Sequence, residues 1–353
     1  MKPKVTGLAV APNDLPGRDR KAEHIRLALE ERMQLERNFF EEYAFEHQAL
    51  PEIDFDEIET TTSFLGRPLA APLLISCMTG GTDDARRINR NLAQGAQEVG
   101  IAVGVGSQRK ALEDESKAES FRIRPLAPTV PLLANLGAVQ LNYGYGLDAC
   151  RRAVEQIEAD ALVLHLNALQ EAIQPEGQRN FKGLLPKIAR VVRELGVPVI
   201  VKEVGCGLSA ATGRALLEAG VTIVDTAGLG GTNWARIEAA RANDVELGER
   251  FAGWGIPTPE SIAELRGVPG LTVIGSGGVR DGIDVAKALA LGADLAGMAY
   301  PFLQAANRSA ADVAAKIRRT IQELKICMFC AGARTTAELR QAPLRRRRVE
   351  GPR

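Results

Sequence analysis

The chain has 353 residues, of which 45% are hydrophobic and 25% are charged, proportions that exclude an intrinsically disordered or fibrous protein. Its 44 Lys and Arg residues balance 44 Asp and Glu residues, so the net charge of +0 gives no global attraction to nucleic acid or to an anionic membrane. No apolar run approaches the roughly 20 residues of a membrane-spanning helix, and residues 1–16 lack a secretion signal, which predicts a cytoplasmic protein.

The first 69 residues are predicted to form an extension rather than a domain. Residues 19–31 are a strongly charged helical stretch, and residues 39–59 mix aromatic residues with acids. Arg20 and Lys21 in the helical stretch are candidates for binding an anion. Taken alone, they also fit an ordinary charged helix face.

Between about residue 70 and residue 305, short apolar segments alternate with helical segments. We predict eight strands, at residues 72–78, 101–106, 131–137, 161–167, 197–204, 222–228, 271–277 and 295–300. Nearly continuous apolar runs are typical of parallel strands covered on both faces. The pattern predicts an α/β fold, a (β/α)8 TIM barrel with an N-terminal helical extension. An open doubly wound sheet is the competing architecture, but its GxGxxG fingerprint after the first strand is missing.

Polar groups follow the first three predicted strands. Residues 78–81 and Asn135 present a hydroxyl, an amide and exposed backbone to the same barrel mouth. Arg109, directly after the second strand, is a candidate for binding an anion together with Arg20 and Lys21.

The most specific local feature follows the fourth strand, where four polar residues cluster: His165, Asn167, Gln170 and Glu171. Alternation along a strand places His165 and Asn167 on one side, pointing into the barrel mouth. A hydrogen-bonded structural histidine is the alternative interpretation. The clustering with two amides and a carboxylate at a barrel rim favours a functional site.

The later strands carry further signals of a phosphorylated ligand. Lys202 interrupts an apolar strand, where an ammonium group needs a partner such as an electron-rich cofactor ring. A salt bridge to Glu203 is the alternative, but adjacent strand residues face opposite ways. The glycine-bearing loops at residues 276–280 and 297–300 follow strands seven and eight, where barrels often bind phosphate. We therefore predict a site for a flat, hydrogen-bonding, phosphorylated ligand.

The C-terminal part has weaker signals. Residues 310–324 are predicted to be a helix, and Cys327 with Cys330 forms a CxxC half-motif that has no second half, so we expect both to pack. The run Arg345–Arg348 lacks the interleaved aromatics of nucleic-acid binders, and we predict a solvated, disordered end.

From residue 18 to about residue 332 the sequence resembles the type 2 isopentenyl-diphosphate isomerases, the flavin-dependent kind. Nine motifs in family order carry this resemblance: RKAEH (20–24), ISCMTGG (75–81), GSQR (106–109), HLN with LQEA (165–172), QPEG (174–177), VKEVG (201–205), GGTNW (230–234), GWGIPT (253–258) and SGGVR (276–280).

The resemblance implies interconversion of isopentenyl and dimethylallyl diphosphate in isoprenoid biosynthesis. Reduced FMN would act as the acid and base, with Mg²⁺, and with NADPH needed only to reduce the flavin. FMN contacts are implied at Ser76, Cys77, Met78, Thr79, Gly80, Ser107, Asn135, Lys202, Thr232, Gly278, Val279, Arg280, Met298 and Ala299. Substrate contacts are implied at Arg20, Lys21, Ser107, Gln108, Arg109 and Gln170, catalytic roles at Gln170, His165 and Asn167, and Mg²⁺ binding at Glu171.

The resemblance also divides the chain into three segments. These are an extension at residues 1–69 that contributes to the substrate site, an FMN-binding barrel at 70–330 and a basic tail at 331–353. A homotetramer or homo-octamer is implied. Four positions depart from the family pattern without removing a proposed ligand: Cys77, Ala168, Gln178 and Asn233.

Two rival functions share the barrel. An FMN-dependent 2-hydroxy-acid oxidoreductase would need a histidine base near the seventh strand, and no histidine follows His165. A non-catalytic flavin-binding barrel would not need His165, Asn167, Gln170 and Glu171 together.

Overall fold

Eight parallel strands close into a barrel at the centre of the computed structural model, which describes residues 20–347. Each strand pairs with the next in the chain, and the eighth pairs with the first. The predicted barrel is therefore confirmed, and every predicted strand is present but shorter. Barrel strands one to eight are Leu73–Ile75, Ala102–Gly104, Leu132–Gly137, Ala161–His165, Val199–Lys202, Ile223–Asp225, Thr272–Ser276 and Leu295–Met298.

Helices cover the outside of the barrel and extend beyond it. In chain order they are α1 Arg20–Ala28, α2 Asp83–Val99, α3 Arg109–Glu113, α4 Leu147–Ile157, α5 Ala168–Ile173, α6 Leu184–Glu194, α7 Ala210–Glu218, α8 Trp234–Arg241, α9 Val245–Phe251, α10 Thr258–Arg266, α11 Gly282–Leu291, α12 Tyr300–Arg308, α13 Ala310–Cys330 and α14 Thr336–Leu339. Within residues 20–347, none is both long and apolar enough to cross a membrane.

Helix α2 shows how the sequence defines these covering helices. The Thr82 side chain caps its start by accepting from the N–H of Ala85, and Gly100 ends it in the left-handed region at φ 89°. Ile88 and Leu92, four residues apart, are buried against the barrel side. A Cβ at Gly95 would lie 2.5 Å from Val313, so only glycine permits the close packing of α2 on α13.

Apolar side chains fill the interior of the barrel at its N-terminal end. The interior cluster includes Leu74, Leu133 and Ile274, and it is extended by Phe64 and Leu69. These last two belong to a hairpin of the strands Thr62–Phe64 and Arg67–Leu69. The hairpin covers one end of the barrel, so any ligand must enter at the other end, where the strands have their carboxyl termini.

The C-terminal arginine run is ordered where the structure describes it. The strand Leu344–Arg346 pairs antiparallel with Tyr43–Phe45 in the extension. Arg346 donates to Glu42 at 2.8 Å and to Glu260 at 3.0 Å. The predicted disordered end is therefore wrong for this strand, because backbone pairing and two carboxylates hold it in place. Arg348 lies outside the described residues, as do the expectations for residues 1–16.

Candidate active site

A cavity of about 810 Å³ lies at the carboxyl ends of the barrel strands, within the size range of small-molecule and cofactor sites. Helix α1, the barrel strand ends and helix α12 all contribute to its walls. The predicted site residues that line it are Arg20, Lys21, Ser76, Cys77, Met78, Thr79, Ser107, Arg109, Asn135, His165, Asn167, Gln170, Glu171, Lys202, Thr232, Gly278, Val279, Arg280 and Ala299.

Three predicted residues do not line this cavity. Gln108 is fully buried, donates to the carbonyl of Ala153 at 2.8 Å and accepts from the N–H of Asn135 at 3.1 Å. Its side chain ties strand three to α4, and its expected role in substrate binding stays a prediction. Met298 packs in the hydrophobic core, and Gly80 lies against a buried phenylalanine ring.

His165 is held as a neutral hydrogen-bonding group. Its Nδ1 lies 2.7 Å from Oδ1 of Asn135, an acceptor, so Nδ1 carries the proton. Burial, together with the positive charges of Lys202, Lys21 and Arg109, lowers the pKa of His165 to about 3. The ring is therefore neutral rather than cationic, and its Nε2 is a hydrogen-bond acceptor.

The residues after strand four form a connected set of amides and carboxylates. Nδ2 of Asn167 donates to Oε1 of Gln170 at 3.1 Å and to Oε1 of Glu171 at 2.9 Å. The second Glu171 oxygen accepts from the N–H of Gln178 at 2.5 Å. Oδ1 of Asn167 is buried without a hydrogen-bond partner among residues 20–347. Because buried acceptors are rarely left unpaired, this atom is suited to a ligand donor.

Glu238, which the sequence analysis missed, fixes the orientation of Gln170. Nε2 of Gln170 donates to Oε1 of Glu238 at 2.7 Å, and Arg241 donates to its other oxygen at 2.6 Å. Burial acts to raise the pKa of Glu238, but hydrogen bonds from His24 and Gln170 and the charge of Arg241 outweigh it and hold the pKa at about 2. Gln170 therefore turns its NH₂ to an anion and its carbonyl to Asn167.

Little in the sequence could have revealed these residues. Helix α8 reads WARIEAAR, in which Glu238 and Arg241 look like an ordinary i,i+3 pair on a helix surface. The neighbouring alanines and isoleucine were the available signal, since they mark a helix that is buried on most sides.

Cations gather at the end of the cavity near α1. Arg20, Lys21 and Arg109 all line it, and the buried Nε of Arg109 has no hydrogen-bond partner among the described residues. Burial lowers the pKa of Arg20, and the charge of Arg109 acts in the same direction. Two guanidinium groups that disfavour each other favour the binding of an anion close to both, and their fork geometry suits phosphate oxygens.

The opposite end of the cavity has the features of a phosphate site. Helix α11 is capped by its own Asp281, which accepts from the N–H groups of Ile283 and Asp284 at 2.9 Å. Helix α12 begins after Ala299 and has no side-chain cap. The buried hydroxyl of Ser76 has no hydrogen-bond partner within residues 20–347. The start of α12 is therefore the better candidate for binding a phosphate.

Two basic side chains near this end have defined partners. Arg280 donates to the carbonyls of Leu35 and Glu36 at 2.7 and 3.1 Å, so its guanidinium ties the extension to the loop after strand seven. Lys202, only 6% exposed, donates to the carbonyl of Glu203. The Glu203 carboxylate accepts from the following three backbone N–H groups instead, so the two side chains do not pair, as predicted.

Comparisons with known proteins identify the family of this chain. The family model of FMN-dependent dehydrogenases matches residues 167–346. The chain is 51% identical to the isopentenyl-diphosphate delta-isomerase of Nostoc sp. over 92% of this chain and 94% of the relative. It is 50% identical to the one of Paracoccus zeaxanthinifaciens, over 91% and 95%. The chain belongs to the isopentenyl-diphosphate delta-isomerase family.

This member of the isomerase family also has the same fold as solved structures of other proteins. A mandelate oxidase variant with (S)-mandelic acid is 17% identical, with a TM-score of 0.63 over 93% of this chain and 91% of that one. At such identity the likeness shows only the barrel fold. The family that the sequence motifs indicated is confirmed by the isomerase relatives and not by these structures.

Proposed function

We propose that the protein is a flavin-dependent, type 2 isopentenyl-diphosphate isomerase, which interconverts isopentenyl and dimethylallyl diphosphate in isoprenoid biosynthesis. The observation that carries the proposal is the arrangement of one cavity with two anion-binding ends. The uncapped start of α12 follows strand eight, which lies across the closed barrel from strand four, whereas the charges of Lys21 and Arg109 act on His165 at the end of strand four. The cavity therefore suits a phosphorylated cofactor and a diphosphate substrate side by side.

The residues present fit FMN. The start of α12 and the Ser76 hydroxyl would hold its phosphate, and the Lys202 ammonium, buried at the barrel mouth, would stabilise negative charge on the ring system. When bound and reduced by NADPH, FMN supplies a proton carrier next to the alkene, a task that ordinary carboxylates perform poorly at carbon.

The side chains of the strand-four cluster would orient the substrate rather than transfer its protons. Gln170 has no useful pKa, and its amide is fixed between Asn167 and the anionic Glu238. Neutral His165 offers Nε2 as an acceptor, because Asn135 holds its Nδ1. These groups fix the five-carbon chain against the cofactor and keep water from the reacting carbon.

Glu171 would hold Mg²⁺ together with the substrate. Within residues 20–347, no group of three His, Cys, Asp or Glu side chains is placed to bind a metal ion. A single carboxylate is sufficient when the remaining ligands are substrate phosphates and water, which is the usual arrangement for Mg²⁺. The extension, through Arg20 and Lys21, would complete the charge balance around the diphosphate.

The rival 2-hydroxy-acid oxidoreductase lacks a suitable base in this cavity. The histidines that line it are His24 and His165. Burial lowers the pKa of both, and with the neighbouring positive charges that of His165 is about 3, so each ring is a weak proton acceptor. A homotetramer or homo-octamer in the cytoplasm remains part of the proposal, and light scattering of the purified protein measures the assembly.

Turnover tests the proposal. Purified protein with FMN, NADPH, Mg²⁺ and isopentenyl diphosphate, kept without oxygen, is expected to form dimethylallyl diphosphate, and omission of FMN or Mg²⁺ should abolish it. Under air, (S)-mandelate and lactate serve as rival substrates. Oxidation of either hydroxy acid, without any isomerisation, would contradict the proposal.

A further inference from the structure

Arg241 binds three carboxylates that come from three different elements. Its side chain is only 4% exposed. Nη1 donates to Glu238 of the same helix at 2.6 Å, and Nη2 donates to Glu176, in the loop after α5, at 2.8 Å. Nε donates to Glu23 of α1 at 3.2 Å. Every nitrogen of the planar guanidinium is thus in use, and the single ammonium of a lysine could not reproduce this arrangement.

Each of these carboxylates is connected to the end of the cavity that is lined by Arg20, Lys21 and Arg109, which we call the substrate end. Glu238 accepts from Gln170 at 2.7 Å. Glu176 lies 3.8 Å from Nη1 of Arg20, and Glu23 shares helix α1 with Arg20. Arg241 itself is not part of the cavity wall, so it acts through these neighbours and not on a ligand.

Gln174 adds a second connection between the same elements. In the amide orientation that satisfies both of its polar atoms, it donates to Glu238 at 3.2 Å and accepts from Arg20 at 3.1 Å. Helix α1, the loop after α5 and helix α8 therefore meet in one buried network with Arg241 at its centre.

The charges explain why a cation is needed in this position. Three carboxylates this close repel one another, and their hydrogen-bonding oxygens are largely removed from water. Glu176 already lies 3.8 Å from Arg20, and without Arg241 it would rely on Arg20 alone for compensation. Arg20 would then be paired more closely with this carboxylate and be less able to bind a diphosphate.

We propose that Arg241 is the positioning residue of the substrate end, where it fixes α1 and Gln170 relative to each other by holding Glu23, Glu176 and Glu238. The inference rests on the proposed function, since that function defines which end of the cavity receives the substrate. It assigns Arg241 no contact with substrate or cofactor.

Hydrogen exchange tests the positioning role independently of turnover. In the FMN-loaded protein, Arg241→Met should speed exchange roughly tenfold or more in α1 and in residues 168–178, and leave the barrel strands unchanged, because charged hydrogen bonds are lost. The control Arg250→Met removes an exposed arginine that pairs with Glu246 on α9, and it should change neither segment. Unchanged exchange in α1 of Arg241→Met would overturn the inference, whether or not the protein is an isomerase.

Ligand binding and kinetics separate positioning from a general loss of structure. Arg241→Met should weaken binding of inorganic pyrophosphate at least tenfold while FMN affinity stays constant. With isopentenyl diphosphate, its KM should rise and its kcat should fall, and Arg241→Lys should lie between this variant and the parent. Equal pyrophosphate binding in the parent and in Arg241→Met would refute the positioning role.

The pH profile supplies a further readout. Glu238 faces His24 of α1, Gln170 of α5, Gln174 of the loop after α5 and Arg241 of its own helix, and it also acts on the charge of Arg20. Removal of Arg241 raises the pKa of Glu238, so kcat of Arg241→Met should fall on the acid side where that of the parent is still flat. Parallel profiles for the two proteins would show that Arg241 does not act through Glu238.

Discussion

At the scale of single residues, the site depends on neutral groups that are held in place by charged ones. Gln170 and His165 carry no charge of their own at neutral pH, yet each is oriented by a strong hydrogen bond. The partner of Gln170 is the ionised Glu238, and the partner of His165 is the Asn135 amide. Fixed dipoles of this kind stabilise a bound ligand without the reorganisation that water would require.

Gln170→Ala removes one of these fixed dipoles. We expect kcat to fall about 10²-fold or more while FMN stays bound, because the amide orients the reacting chain and does not touch the phosphate end. Steady-state kinetics and the flavin absorbance of the purified variant measure the two effects. The matched control is Gln97→Ala, whose amide donates to Thr129 far from the cavity. Unchanged turnover in Gln170→Ala would remove this residue from the mechanism.

His165 also makes stability depend on pH. The unfolded chain takes up a proton near pH 6.5, whereas the folded protein keeps this ring neutral down to a pKa of about 3. The unfolded state therefore binds more protons between these values, and the free energy of unfolding falls as the pH drops below 6.5. The contribution of this one ring is about 2 kcal/mol at pH 5.

The free energy of unfolding of His165→Asn should therefore fall less between pH 7 and pH 5 than that of the parent. This comparison does not depend on which protein is more stable at pH 7. Denaturant unfolding of the apoprotein at both pH values gives the difference. His47→Asn, at an exposed position in the extension, is the control and should behave as the parent does. A pH dependence in His165→Asn as steep as that of the parent would mean that the folded ring is protonated normally.

At the scale of elements, the extension is held to the barrel at several separate places. The segment around Leu35 is tied to the loop after strand seven by Arg280, and helix α1 is tied to α8 by Arg241. The strand Tyr43–Phe45 is tied to the C-terminal strand Leu344–Arg346. The C-terminal residues therefore help to hold the segment that delivers Arg20 and Lys21 to the cavity.

Arg346→Ala tests the C-terminal contact. The arginine is half-exposed and pairs with Glu42, which is buried, so we expect a small loss in the free energy of unfolding. Limited proteolysis should also cut the extension around residues 43–60 more quickly. Arg347→Ala, at an exposed neighbour, should have no such effect. Equal effects of both variants would show that net charge, and not the pairing of Arg346, matters here.

At the scale of the whole molecule, periodicity was sufficient to predict the barrel, because eight buried parallel strands leave eight apolar runs in the sequence. The cluster at His165 was also predictable, since strand alternation places it at the mouth. The network around Glu238 and Arg241 could not be predicted, because it joins elements that are distant in the chain. The arginine run was misjudged for the same reason: its carboxylate partners, Glu42 and Glu260, lie far away in sequence.

The most direct test of the central claim is a count of product formed per flavin. The FMN-loaded protein is reduced without oxygen by one equivalent of dithionite, and isopentenyl diphosphate and Mg²⁺ are then added without NADPH. We predict many molecules of dimethylallyl diphosphate per FMN, with the absorbance of the reduced flavin unchanged throughout. Product that stops at one molecule per flavin as the flavin becomes oxidised, or no product at all, would contradict the account.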